Sequence, residues 1–204
     1  MLYNPAHFAV EDAAAAAALI RAHPLATLVS LHDGQPQVTH APLLLDDTAQ
    51  PWRLLGHVAR ANPHWQAWTE GAALLAIFHG PDAYVSPALY DTLKAVPTWN
   101  YAVVHVQGRV TPLHDSDAKE DVLKRLIDAH DPPYHAQWNE LDVTFREGMK
   151  KGIVAFALQV ERIDAKFKLS QNRAPGERER VRQAMDAGGA GARELAEWMR
   201  RLQP

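Results

Sequence analysis

Three short stretches of this chain gather the residue types needed to bind something anionic and flat. They are Gly56-His57-Val58-Ala59-Arg60-Ala61-Asn62-Pro63-His64-Trp65, Val96-Pro97-Thr98-Trp99-Asn100-Tyr101 and Lys168-Leu169-Ser170-Gln171-Asn172-Arg173. Each sets a cation or an aromatic ring among hydrogen-bonding side chains where an apolar, strand-like run begins or ends. In the first, Asn62 is a favoured helix N-cap, and Pro63 at the first helical position loses no useful donor. A strand running into such a cap leaves backbone N–H groups free near residues 61–65, at the positive end of a helix dipole. Arg60, just before the cap, adds a guanidinium able to grip phosphate oxygens with two prongs. The bland alternative is a surface arginine beside an ordinary capped helix.

In the third stretch a long β-type run, residues 153–166, leads into Lys168, Ser170, Gln171, Asn172 and Arg173, all polar and two of them cationic. A solvated strand end is the bland reading, yet it gives no reason for hydroxyl, amide and guanidinium groups to crowd together. In the second stretch Trp99 and Tyr101 flank Asn100 after a proline-fixed turn. Such a segment can hold a ring against a planar ligand while the amide bonds its edge; core or dimer-interface packing is the alternative.

The elements that must position these stretches are mostly strands. Residues 25–32 and 37–45 alternate or run apolar around Asp33-Gly34, a strong hairpin signal. Further strands are predicted at 52–58, 73–79, 83–86, 101–112 and 154–163, with Gly80-Pro81-Asp82 as a turn between two of them. Helices are predicted at 8–23, 63–70, 116–129 and 136–150, the third with an apolar stripe of Val122, Leu123, Leu126 and Ile127. Beyond Arg173 the composition shifts to charges, Ala and Gly, predicting two short helices at 176–187 and 191–202. Short strand spacing without regular strand–helix alternation favours a barrel over a parallel sheet.

With 204 residues, 47% hydrophobic and 22% charged, the composition is that of one ordinary globular domain. No apolar run is long enough to span a bilayer, so no membrane role is expected. The alanine run 13–18 follows Glu11-Asp12, so it reads as a helix and not as the core of an export signal. The chain has no cysteine, which excludes disulfides, thiolate metal sites and a cysteine nucleophile and fits a reducing cytoplasm. A net charge of -3 lacks the basic excess of a typical nucleic-acid binder. Eleven histidines invite a metal hypothesis, but His-Glu-x-x-His is absent and His130 and His135 bracket a proline turn; no metal site is expected. His40, His57 and His105 sit in strand-like runs, able to face one pocket or to be satisfied core groups. Neither a Gly-x-Ser-x-Gly elbow nor a dinucleotide-type glycine loop is present.

Taken together, residues 1–8 (MLYNPAHF), 39–46 (THAPLLLD), 56–65, 78–87, 96–101 with His105, and 168–173 resemble the PaiB family of FMN-binding split-barrel proteins, which are described as negative transcriptional regulators. The resemblance covers residues 1 to about 175. Leu89 departs from it where tryptophan is usual, and Ala165 where glycine is usual. The resemblance implies a mainly β fold with α additions: a six-stranded antiparallel split barrel over 1–175 and a helical C-terminal appendage over 176–204. It further implies a homodimer with FMN in a groove at the subunit interface. The phosphate is expected near Arg60 and Asn62, with Lys168 and Arg173. Thr39, His40, His57 and Val58 are expected to line the flavin groove, and Trp99, Asn100, Ser170 and Gln171 to be partners from either subunit.

These expectations leave the activity open. A flavin can serve regulation or an FMN-dependent oxidoreductase, and the sequence identifies no reductant or second substrate. DNA contact has weak support, because the basic segment 173–182 interleaves Glu177 and Glu179 with its arginines. The third class is haem binding or breakdown, for which His40 and His57 are the candidate ligands.

Overall fold

The computed structural model describes residues 2–48, 50–69 and 71–202. Met1, Glu70 and the last two residues of the tail, which fall in segments read above, lie outside the described residues. The elements in chain order are β1 (Ala9–Val10), α1 (Ala13–Ala22), β2 (Leu25–His32), β3 (Gln35–Pro42), β4 (Leu44–Asp46), β5 (Arg53–Ala59), β6 (Ala72–Val85), β7 (Thr98–Leu113), α2 (Ser116–His130), α3 (Tyr134–Glu140), α4 (Val143–Lys151), β8 (Ile153–Lys168), α5 (Pro175–Asp186) and α6 (Ala190–Leu202), with 3-10 turns at Ala6–Phe8, Pro63–Ala67 and Pro87–Leu89. The strands form one sheet in the order β3-β2-β6-β7-β8-β5-β4, with β1 on β8. The β1–β8, β2–β3, β2–β6, β4–β5 and β5–β8 pairs are antiparallel. The described residues therefore carry eight strands where the resemblance implies six. The sheet runs as an open path and does not close into a barrel, and its shortest strands are β1 with two residues and β4 with three.

The chain divides into two compact units. One comprises His23–Phe78 and His105–Ile163, the other Met1–Ala22, His79–Val104 and Asp164–Pro204.

In the first of these, the β2–β3 hairpin turns at Asp33 and Gly34, both in the left-handed region (φ 49° and 74°). That is the backbone a two-residue hairpin turn requires, and it explains the Asp-Gly pair. The expected strand 37–45 is two strands. Leu43 leaves the ladder to donate its N–H to the Pro24 carbonyl (2.9 Å), so β3 pairs with β2 whereas β4 pairs with β5. The α2 stripe seats Val122 and Leu126 against Leu55 and Ala155 of the sheet. Buried Asp46 accepts from the Thr48 hydroxyl (2.6 Å) and pairs with Arg53 (2.7 Å) and Arg125 (3.1 Å). The Thr48 bond first, then the two arginines, hold its carboxyl well below the usual range against the opposing effect of burial. The predicted helix 136–150 is broken into α3 and α4, because Asp142 turns back to accept the Phe145 N–H (3.1 Å) and starts a new helix.

In the other unit the predicted helix 8–23 begins only at Ala13. Asp12 accepts the Ala14 N–H (2.9 Å), while Ala9 and Val10 are drawn into the ladder beside Lys166 and Ala165. The turn predicted at Gly80-Pro81-Asp82 does not form, since β6 runs unbroken through it. Gly80 serves close packing instead: a Cβ there would come within 2.6 Å of Leu19 Cδ1 and 3.1 Å of the Ala102 carbonyl oxygen. Buried Trp198 of α6 meets Phe167 of β8 edge to face at 5.1 Å, so the helical tail contributes to the core of this unit.

Candidate functional site

The predicted residues fall into two groups, one in each unit. In the group around β3 and β5 the centre is His64, which the sequence presents only as part of a motif. It is 2% exposed. Its Nδ1 lies 2.9 Å from the Thr39 hydroxyl and its Nε2 2.8 Å from the Ser30 hydroxyl. Asn62 donates its amide to the same Thr39 oxygen (3.0 Å) and accepts the His64 N–H on Oδ1 (3.0 Å). Asn62 is thus the N-cap predicted for it, with Pro63 next. The element it caps, however, is a five-residue 3-10 turn that ends at Ala67, too short to offer the helix-dipole anion site expected there. Burial holds the His64 imidazole below its ordinary pKa, so it is neutral: one ring nitrogen donates and the other accepts. His40 is exposed and faces Thr27 across the hairpin (3.1 Å), and Val58 is buried. His57 is half-buried, its pKa also lowered by burial, and its Nδ1 is shielded from solvent with no hydrogen-bond partner among the described residues.

Arg60 is exposed, but its guanidinium is not idle. Nε donates to the Lys151 carbonyl (2.9 Å), one terminal nitrogen reaches the Ile153 carbonyl (3.5 Å), and the group lies 5.7 Å from the centre of the Trp65 ring. Trp65 in turn donates its indole N–H to the Arg60 carbonyl (2.8 Å). Lys119, buried at 5% exposure, donates to the Lys150 carbonyl (3.3 Å). Arg60 and Lys119 therefore meet the carbonyls at the C-terminal end of α4, where cations are favoured. Burial first, then the Arg60 and Lys150 charges, lower the Lys119 pKa. The sequence showed Lys119 only as part of a helix start; its partners lie too far along the chain for any local pattern to reveal them.

The second group is built at the end of β8. Ser170 takes a left-handed backbone (φ 64°), uncommon for a residue with a Cβ, and its hydroxyl accepts the Asn100 amide (2.9 Å). Both are buried. Gln171 closes this turn on itself, its oxygen taking the Leu169 N–H (2.7 Å) and its amide the Phe167 carbonyl. Its amide is thus committed to the backbone. The turn displays Lys168, Asn172 and Arg173 to a cavity of about 220 Å³ whose other walls include Phe8, Tyr90 and Thr98. Lys168 donates to the Thr98 hydroxyl, and the Arg173 guanidinium lies 3.8 Å over the Tyr90 ring.

Strand alternation separates the ring and the amide that the sequence placed together at 99–101. Asn100 points to Ser170, whereas Trp99 is 53% exposed and meets Tyr84 edge to face at 6.1 Å. The Tyr101 ring lies 5.6 Å from the Lys166 ammonium. The aromatic walls of the cavity are instead Phe8 and Tyr90; Phe8 ends the 1–8 stretch that carries part of the resemblance, but no local pattern placed either ring at this site because they come from distant segments. Among the described residues no group of three or more His, Asp or Glu side chains is placed to hold a metal ion, and no helix is long and apolar enough to cross a membrane.

Comparison with known proteins supplies independent evidence. Residues 2–162 match the family model described as "Putative FMN-binding domain". The chain is 34% identical over 175 residues to the Protease synthase and sporulation protein PAI 2 (PaiB) of Bacillus subtilis (strain 168), covering 84% of this chain and 83% of that one. Among solved structures it resembles the FAD and heme binding protein from Mycobacterium smegmatis, with a TM-score of 0.63 and 21% identity over 89% of this chain and 80% of that one. It also resembles the flavocytochrome Anf3 from Azotobacter vinelandii, with a TM-score of 0.61 and 19% identity over 78% and 69% of the two chains. At these identities the structural likenesses establish the fold alone.

Proposed function

Since this chain belongs to the FMN-binding-domain family that includes PaiB, we propose that it is a flavin-binding split barrel that works as a homodimer and takes FMN at the subunit interface. The observation that carries this reading is the family match over residues 2–162. The group around His64 has donors suited to such a ligand. His57 Nδ1 is a shielded polar atom without a partner, a costly state that a ligand atom would relieve. Bonds from Asn62 and His64 fix the Thr39 hydroxyl. Arg60 is anchored through Nε and one terminal nitrogen, leaving its other terminal nitrogen for a phosphate oxygen. The exposed Tyr84–Trp99 pair suits the subunit interface. A bound flavin supplies hydride or electron transfer; the protein orients it and sets its electronic environment.

The output we propose is regulatory, with negative control of transcription exerted through a metabolite or partner. Direct DNA contact is disfavoured by the ion pairs of the basic segment: Arg180 pairs with Asp91 (2.6 Å), and Arg182 with Glu179 and Asp186. Cations already matched to carboxylates release few counterions from DNA. An oxidoreductase role requires the same flavin with a reductant and second substrate. A haem reading rests on the unpartnered nitrogen of His57; a Soret band on haem addition that disappears in His57→Ala would support it.

Titration of the purified protein with FMN and FAD, followed by flavin absorbance and tryptophan quenching, with sedimentation for oligomeric state, tests the proposal. Expected is one FMN per chain in a dimer, with FAD weaker. Arg60→Ala should weaken FMN by roughly 1.5–3 kcal/mol, the worth of a hydrogen bond to a charged group. Absence of flavin binding would overturn the reading, and preference for FAD would replace FMN as the ligand.

A further inference from the structure

The cavity beside Ser170 carries charge that the fold leaves unbalanced. Elsewhere Arg53, Arg109, Arg125, Arg146, Arg180 and Arg182 each pair with a carboxylate. Lys168 and Arg173 line the same cavity, and among the described residues neither has a carboxylate partner. Lys168 has the neutral Thr98 hydroxyl and lies 6.0 Å from the centre of the Phe8 ring, and Arg173 has the Tyr90 ring. Two like charges facing one concave space without a counter-charge make a positive potential there.

The shape and walls narrow the ligand. At about 220 Å³ the cavity is smaller than the roughly 300 Å³ lower bound for pockets that enclose drug-sized molecules, so it suits one ring and one acid group. Stacking on Tyr90 at 3.8 Å covers one face of the Arg173 guanidinium and leaves its N–H edge, the geometry that grips a carboxylate with two bonds. Phe8, 8% exposed, supplies an apolar wall for a ring.

We propose that this cavity is a site for a small planar organic carboxylate, a ligand separate from the flavin that reaches the protein as an effector or co-substrate. Benzoate is the probe, with acetate and inorganic phosphate as controls, each titrated calorimetrically into the full chain with and without saturating FMN. Benzoate is expected to bind one per chain, FMN present or not, about tenfold tighter than either control. Arg173→Gln and Lys168→Gln should each weaken it at least tenfold, with or without saturating FMN.

Exclusion of benzoate by FMN would return the cavity to the flavin site and overturn the proposal. So would equal binding of acetate or phosphate, absence of benzoate binding, or insensitivity to both variants. Should the protein take no flavin but still bind benzoate through Arg173, the flavin reading fails and this one stands.

Discussion

The two cation-bearing regions of this protein use similar residues to opposite ends. Around β5, Arg60 and Lys119 reach main-chain carbonyls at the end of α4, and nearby the hydroxyls of Thr39 and Ser30 share His64. Around the end of β8, Lys168 and Arg173 meet a hydroxyl and the rings of Phe8 and Tyr90, with no carboxylate partner among the described residues, and face open space. The first region is largely satisfied by its own fold; among the described residues His57 Nδ1 and Trp68 Nε1 have no partner, and Arg60 keeps one terminal nitrogen for the proposed phosphate. A cation in a motif therefore says little until its acceptors are known: one matched to carbonyls contributes to stability and offers a ligand only its remaining N–H groups, whereas one without acceptors offers its whole edge.

The contrast predicts unequal stability losses. His64→Leu removes the shared partner of two hydroxyls; Thr39 keeps the Asn62 amide and Ser30 loses its contact with the ring, which should cost about 2 kcal/mol, read as a lower urea midpoint. Arg173→Gln, which loses a stacking contact on Tyr90, should cost less than about 1 kcal/mol. Comparable losses would erase the stability difference between the two regions.

Acid should single out the first region. Burial holds His57 and His64 below the ordinary 6.5 in the fold. Below pH 6.5 the unfolded chain therefore binds more protons than the folded one, and stability falls as pH drops toward the folded values. Thermal unfolding between pH 7.5 and 5 should show this decline, and His64→Gln should flatten it. A profile unchanged by that substitution would mean that His64 does not titrate differently on folding.

The smallest effect is expected at Lys119. Its pKa is lowered, so wild-type stability should rise gently as pH climbs toward 10.5, where the unfolded chain also loses the proton. Lys119→Met removes a buried charge of similar length. It should alter stability at pH 7 by no more than about 1 kcal/mol, in either direction, and abolish the alkaline rise. A larger loss would show that the contact with the Lys150 carbonyl outweighs the burial of the charge.

Local chemistry made much of this architecture legible. Asp33-Gly34 specified the hairpin because few other pairs accept positive φ, and Asn62-Pro63 specified a capped start because the bond it makes spans two residues. The helices α2, α5 and α6 followed from periodicity and composition. What failed were the places where a distant segment overrode a local signal. Gly80-Pro81 reads as a turn but lies within β6, because Leu19 and the Ala102 backbone need the space a side chain would fill. The helix at 63–70 stops at Ala67, where Trp68 turns inward to meet Phe156 at 4.7 Å.

The sequence by itself determined the residue types available for binding, the antiparallel hairpin, the absence of cysteine chemistry and the family. Which side chains meet was decided by the tertiary structure alone. Thr39 and Asn62 are joined by a bond across 23 positions and Asn100 and Ser170 across 70, and Tyr90 and Arg173 stack from segments equally remote. A strand specifies its alternation but not what stands opposite it. Whether Arg60 becomes a cap and Arg173 a ligand-facing cation follows from which acceptors the rest of the chain brings within hydrogen-bond range.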